Sequence, residues 1–393
     1  MKKALKYIFH IDHLLITILT FVLVGLGYAA VKSIPLLDPL KDAMSDMSST
    51  DYFFSLANKG SDVNQDITIV DLKDENNRGK VAQVIAKVDS LQPWVIGIDI
   101  VFQGIKGTPE ENEALLETVM NAGDRIVWAT KLQNYDVEKK AFADKGSSFF
   151  ADELGVKEGF ANLDDNFEHK TIRKMLTIEG LSDSTMASLP VTIVQTLDST
   201  NLEPHSKLTI DYTTNFCVVP SDSLDANKDL IKDHIVIVGT TTNEGDMWKT
   251  PLGKMPGVMV QAYSIYTIRD HRDITYAHFW VNVLIAFVLC YLFELFIDMQ
   301  NRWLSSRNKA WATFLLKSYL LLRIVTILFM ALVTWGILLL FIHNSTYFDA
   351  ILIFLLLGLL SEARNIYIGA ISALSKNHNW WILKNSLFNT DKK

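Results

Sequence analysis

The sequence predicts two architectures in one chain: an α/β periplasmic domain with a largely parallel sheet, and an all-α membrane bundle of four transmembrane helices. Three observations carry this. Four apolar runs, at 14–31, 279–297, 320–341 and 347–362, approach the length of about 20 residues that crosses a bilayer. Between the first two runs, short β-branched segments alternate with stretches of helical periodicity, as in strand–helix–strand units. Charge divides the same way, because residues 32–278 carry 24 Lys and Arg against 38 Asp and Glu, whereas the remainder carries 13 against 6. Basic segments face the cytoplasm, which places the acidic stretch outside and both termini inside.

Composition fits that division. Apolar residues make up 49% of the chain and charged ones 21%, the average of a soluble domain and membrane spans. The two cysteines, Cys217 and Cys290, fall one in the α/β stretch and one in a span, so neither a disulfide framework nor a CxxC metal site is on offer.

Residues 1–13 form a cytoplasmic N-terminus with Lys2, Lys3 and Lys6. The run at 14–31 is longer than a signal-peptide core, and Tyr28 interrupts a small-x-small cleavage pattern, so a retained anchor is expected over a cleaved leader. From Ser33 to Leu56, Leu36, Leu37, Leu40, Met44 and Met47 recur near helical spacing and predict a stalk helix, docked on the domain by Phe53, Phe54 and Leu56. An irregular apolar connector is the other reading.

The domain, 32–278 with its stalk, opens with a strand at 67–70, a helix from Lys80 to Leu91 and a strand at 94–100. That order implies a right-handed parallel crossover, repeated by a helix at 111–122 and a strand at 125–130. Residues 139–165 read as loop with one short helix. A strand at 171–178, a helix at 186–197, and strands at 208–212 and 235–238 follow.

The densest local information lies from His234 to Tyr263. An apolar strand ends at Gly239, and Thr240, Asp246, the TPLG run Thr250, Pro251, Leu252, Gly253, and the PGV run Pro256, Gly257, Val258 follow before a helix. Gly239, Gly245, Gly253 and Gly257 are expected to take positive φ, with Pro251 and Pro256 holding the chain extended between them. This pattern resembles, residue for residue, the closing signature of the CHASE2 family, extracytoplasmic sensory domains of bacterial membrane receptors. ITIVDLKDE from Ile67, VIGIDIVF from Val95 and KLTIDYT from Lys207 fall where such a domain has its first, second and late strands, and the resemblance spans roughly Leu36 to Ile268. It implies sensing of a ligand or stress. In members of this kind a cytoplasmic output domain is often fused, and a dimer is common.

Asp71 and Asp99 stand at the carboxyl ends of the first two strands, and Asp246 lies beyond the strand that ends at Gly239. Ligands of open parallel sheets bind outside those ends, so these three carboxylates are the candidate ligand-binding residues, for a cation or a cationic molecule. The competing reading is that they cap loops and helices. No nucleophile elbow, phosphate-cradling glycine loop, HExxH or paired Cys and His at zinc spacing occurs, and His205, His234 and His271 are isolated in sequence. The expectation is therefore no enzyme and no cofactor, with metal binding undetermined.

In the bundle, the basic loop 298–319 carries Arg302, Arg307, Lys309 and Lys317. Glu294, Arg323 and Glu362 fall at similar depth in three spans and predict an ion network in which Arg323 bridges the two glutamates; separate snorkelling is the alternative. The tail 363–393 holds Ile366, Ile368, Ile371 and Leu374 at amphipathic spacing, then Trp380 and Trp381, suited to the membrane interface or to a partner's groove. It is short of the roughly 50 residues of a small domain, so a kinase, cyclase or nucleic-acid-binding output is not expected in it. The predicted partners are the lipid bilayer, a separate membrane or cytoplasmic protein and a second copy as homodimer, with no nucleic acid. The function expected is that of a bacterial inner-membrane sensory protein that relays a signal through its spans. The alternatives are a structural or assembly subunit of an envelope complex, and a periplasmic enzyme using Asp71, Asp99 and Asp246.

Overall fold

The computed structural model describes residues 2–33, 48–73, 75–163, 171–182, 184–198, 206–307, 310–311, 314, 320–375 and 380–388. The chain forms two compact units, Thr50–Thr275 and the combination of Met1–Ser49 with Tyr276–Lys393. Most of the expected stalk (Leu36, Leu37, Leu40, Met44, Met47), together with Asp74, His205, Lys309 and Lys317, lies outside the described residues.

The membrane-type unit contains α1 (Lys2–Ile8) and α2 (Ile11–Ser33). The other unit opens with α3 (Ser49–Lys59), β1 (Val63–Asp71), α4 (Arg78–Ser90), β2 (Val95–Ile98), α5 (Pro109–Asn121) and β3 (Ile126–Asp136). It continues through β4 (Ala141–Gly146), α6 (Ala151–Leu154), β5 (Glu158–Phe160), β6 (Lys174–Leu176), β7 (Ile178–Leu181), β8 (Ser184–Ala187) and α7 (Leu189–Leu197). β9 (Lys207–Thr209), β10 (Asn215–Pro220), β11 (Ile235–Gly239), the hairpin β12 (Met247–Thr250) and β13 (Gly253–Pro256), and α8 (Gly257–Arg269) complete it.

Nine strands form one sheet in the order β10-β1-β11-β2-β3-β4-β7-β8, with β5 beside β3. β11 lies between β1 and β2 in parallel register, Ile237 facing Ile69 on one side and Gly97 on the other. All five β11 residues are buried, which is why that strand reads as a continuous apolar run rather than an alternating one. The sheet, expected to be largely parallel, is mixed: β10, β1, β11, β2 and β3 pair in parallel, whereas β3 runs on past Thr130 and pairs antiparallel with β4, and β7 pairs antiparallel with β8. The segment 139–165, expected to be loop with one short helix, therefore supplies β4 and β5 around α6. β10, parallel to β1, had no sequence expectation. Its run is brief and ends in Pro220, which an edge strand accommodates because one side makes no ladder bonds.

Helix starts are written into the loops. The Asn77 side chain accepts from Lys80 N, and Thr108 with Glu111 forms a capping box ahead of α5, with Pro109 at its first turn. α4 and α5 bring Val81, Ile85, Val88 and Leu115 onto Val70, Ile96, Ile98, Val236 and Trp128, one continuous apolar core. Val191 and Ile193 on α7 and Val260 and Ile265 on α8 are likewise buried. Phe53 and Phe54 of α3 are buried too, and Arg173 holds the helix down through a bidentate pair with Asp51, 2.8 and 2.7 Å.

The second unit adds α9 (Phe279–Ser305), α10 (Leu320–Asn344), α11 (Ala350–Ser375) and the short α12 (Trp381–Asn385). Among the described residues, four helical segments are long and apolar enough to cross a membrane: Leu5–Ala30, which takes in the end of α1 and most of α2, Phe279–Ser305, Leu321–Asn344 and Ala350–Ser375. α11 continues unbroken to Ser375, so the amphipathic stretch expected as a separate tail helix, including Ile366 and Ile371, is its last turns. Leu328, Leu332, Trp335 and Leu355 present apolar side chains outward, as lipid-facing positions do.

Candidate functional site

At the carboxyl ends of β1, β2 and β11, loops enclose an open cavity of 1220 Å³. Asp99, immediately after β2, and Asp246, in the loop before β12, both line it; Asp71 does not. Asp71 is buried, and its Oδ1 accepts from the backbone N–H groups of Lys73 and Thr241, each at 2.9 Å. It pins the loops after β1 and β11 together, so of the three expected ligand residues two meet at the cavity and one fastens its rim.

The signature loop explains itself by close approach more than by unusual backbone angles. Of its four glycines only Gly253 has positive φ, at 107°. Thr250 and Gly253 pair across the β12–β13 hairpin, with Pro251 and Leu252 at its tip; Pro251 therefore sits in a turn rather than in extended chain. The Thr250 hydroxyl donates to Gly253 O at 2.7 Å and accepts from Leu252 N. At Gly239 a Cβ would stand 2.8 Å from Val258 Cγ2, and at Gly257 a Cβ would stand 2.5 Å from Asp246 Oδ2. Pro256, extended at φ −64° and ψ 151°, then caps α8. Gly245 is held by the Asn243 side chain, which accepts from its N–H at 2.9 Å, and Thr240 ties the loop back through a 2.6 Å bond to Lys73 O.

Electrostatics at the cavity floor are unusual. Burial pushes the Asp99 carboxyl up to about 7, the negative Asp246 adds to the rise, and Lys131 on β3 opposes it. Asp246 lies by the first residue of α8, where the helix macrodipole favours an anion, and accepts from Trp248 Nε1 at 2.9 Å. Lys131, Gln103, Gln133 and Trp248 complete the working walls. None of these four was expected from sequence. Gln103 and Gln133 converge, since both amide nitrogens come within 3 Å of where a Cβ on Gly146 would lie.

The Gln103 wall is braced from below. Arg78, almost fully buried, donates to Asn112 Oδ1 at 2.5 Å and to Gly104 O at 2.9 Å, and packs over the Phe102 and Phe149 rings. Among the described residues no group of three or more His, Cys, Asp or Glu is placed to hold a metal ion. His234 stacks on Trp94, 6.4 Å between centroids, and takes no part in the cavity.

The membrane-type unit holds a second polar constellation. The Arg364 guanidinium donates to Glu294 and, at 2.6 Å, to Asp298; both carboxylates are buried. His13 Nδ1 lies 3.4 Å from the same Glu294 oxygen, and Asp298 also accepts from Arg302 at 2.7 Å and from the Tyr7 hydroxyl at 2.5 Å. Asp12, buried next to His13 in sequence, accepts from Tyr367 at 2.8 Å, Ser386 at 3.0 Å and the Leu387 amide at 2.5 Å. The expected bridge from Arg323 is corrected here. Arg323 and Glu362 are exposed, Glu362 accepts from its neighbour Ser361, and the bridging cation is Arg364. The extension of α11 past residue 362 is the reason: it carries Arg364 to the level of Glu294 and Asp298, which lie four residues apart on one face of α9.

An α/β domain with a cavity of ligand size at its strand ends, in one chain with helices long and apolar enough to cross a bilayer, is the architecture of a membrane-type protein. The family model described as the CHASE2 domain matches residues 18–295, from within α2 to within α9, and the chain belongs to that extracytoplasmic sensory family. No curated protein and no solved structure matches it.

Proposed function

We propose that this chain is a bacterial inner-membrane sensor whose CHASE2 domain, in the periplasm, takes a solute into the cavity at Asp99 and Asp246. Occupancy is relayed through the bundle to a separate partner protein on the cytoplasmic side, where both termini lie. The observation that supports this most is the way the cavity is built. The carboxylate on its wall, Asp246, is seated against Gly257, the first residue of α8, and α8 leads in sequence into the membrane helix α9. A solute that moved Asp246 would act on the start of the helix that feeds the bundle.

The alternative, an assembly subunit that senses nothing, predicts indifference to cavity contents. The test is mass spectrometry of small molecules released on denaturing the full-length protein after gentle purification from native membranes. Wild type is compared with Gln133→Trp, which puts a bulky indole on the cavity lining from an exposed position on β3. A solute released by wild type and missing from Gln133→Trp is the expected result. Identical released molecules from both would favour the assembly role.

A further inference from the structure

We propose that the solute recognised in this cavity is a small organic amine, whose ammonium group sits between the Asp99 and Asp246 carboxylates. The proposal rests on the reading of the cavity as the sensing site and adds the chemical class of its ligand.

Three features of the cavity select an ammonium group over other ligands. First, two carboxylates line the same cavity, with Asp246 near enough for its charge to act on Asp99, and among the described residues no side chain donates a hydrogen bond to Asp99. Asp246 keeps only the Trp248 indole N–H on Oδ1, so acceptor capacity remains on both residues. A cation entering here relieves a repulsion the empty site carries.

Second, the donor set is wrong for a metal and right for –NH₃⁺. A hard divalent cation asks for six or more oxygens, whereas here two carboxylates stand beside a lysine; among the described residues no group of three or more His, Cys, Asp or Glu is placed to hold a metal, and Glu75, which also lines the cavity, is paired with Lys80 at 2.9 Å. An ammonium has three N–H donors and is satisfied by two carboxylates and one neutral oxygen. Gln103 and Gln133 line the same cavity, and a side-chain carbonyl oxygen of either is a neutral acceptor of the kind the third N–H needs.

Third, the cavity is too large and too varied for an inorganic ion. Its 1220 Å³ is far more than an inorganic ion needs, and Trp248 and Tyr135 add aromatic surface to the lining. Aromatic faces attract cations and cover the carbon skeleton of an amine equally well. Lys131 flanks Asp99 and keeps the floor close to a single net negative charge, which suits a monocation or one end of a diamine. The raised carboxyl of Asp99 adds a signature: an ammonium that needs it ionised must displace a proton near neutral pH, so binding strengthens as pH rises from 6 to 8.

The experiment is isothermal titration of the full-length protein in lipid nanodiscs with 1,4-diaminobutane, ethanolamine and tyramine, and separately with calcium chloride and sodium glutarate. It is run at pH 6 and pH 8 in two buffers of different ionisation enthalpy. Saturable binding of at least one amine is expected, about tenfold tighter at pH 8 than at pH 6, with proton release, and at least tenfold weaker in Asp99→Asn. Asp229→Asn, exposed and away from the cavity, should leave it unchanged. Glutarate or calcium binding that is lost in Gln133→Trp, without amine binding, would overturn the ammonium assignment and leave the cavity as the sensing site. No binding by any probe, or amine binding equal in Asp99→Asn, would overturn the assignment as well. In the first of those cases the cavity itself also loses support.

Discussion

The Asp246 carboxylate fills the space in which any side chain at Gly257 would have to sit: a Cβ there would lie 2.5 Å from Oδ2. The D…PGV spacing of the signature is thus a packing relation between a cavity wall and the start of α8. Gly257→Ala should push the carboxylate aside and destabilise the domain by about 1–3 kcal/mol, the usual cost of overpacking. Asp246→Ala in the same chain should recover most of that loss. Thermal unfolding of the two single variants and the double variant in detergent micelles measures the coupling.

Stability should carry the mark of Asp99. Its carboxyl is raised in the folded protein from the ordinary aspartate range to about 7, so the folded state holds a proton that the unfolded chain has already released. Stability then falls as pH rises from about 4 to 7 and levels off above, a loss on the order of 2–4 kcal/mol from this one group. Asp99→Asn should lack that slope and be the more stable protein at pH 8. Thermal midpoints at pH 5 and pH 8 for both proteins decide it; parallel curves would show that Asp99 ionises normally.

Arg364, not Arg323, should be the residue the bundle cannot lose. Arg364→Met leaves Glu294 and Asp298 buried without their shared cation, and breaking a buried pair in this way costs about 3–5 kcal/mol. Arg323→Leu removes an exposed side chain from α10 and should stay within about 0.5 kcal/mol. Unfolding by SDS in mixed micelles separates the two.

Asp12 ties the beginning of the chain to residues 386–388. Its Oδ2 takes the Ser386 hydroxyl and the Leu387 amide, while Phe388 lies 4.9 Å under the Arg364 guanidinium. Asp12→Ala should release this segment, seen as at least tenfold faster amide exchange at Leu387 and Phe388 with little change in α10. Unchanged protection would mean that the Phe388 contact holds the segment by itself.

How far these features could be read from the sequence depends on whether their cause is local. β1, β2 and β11 announce themselves as β-branched runs because they are buried on both faces, and the four membrane-type helices by length alone. Asp99 and Asp246 were reachable from strand ends. Lys131, Gln103 and Gln133 were not, since β3 runs on beyond its apolar part and only the fold brings the residue-103 loop against it. The reading of the glycines took permissive φ as their purpose, whereas Gly239 and Gly257 are explained by contacts with Val258 and Asp246 that spacing does not disclose. The ion network was misplaced for a similar reason. Ending the last span near residue 362 put Arg364 outside the bundle, and ending the second near 297 put Asp298 in a loop. Helix continuation through charged residues is visible only once their partners are.

In a relay, cavity occupancy reaches a partner of the bundle. The direct measurement is photo-crosslinking from Trp381, exposed on α12, replaced by a photoreactive residue in native membranes, with the products compared between the otherwise wild-type chain and Gln133→Trp. We expect a defined crosslinked protein whose yield changes at least severalfold when the indole obstructs the cavity. The same protein recovered in the same yield from both chains would contradict the relay.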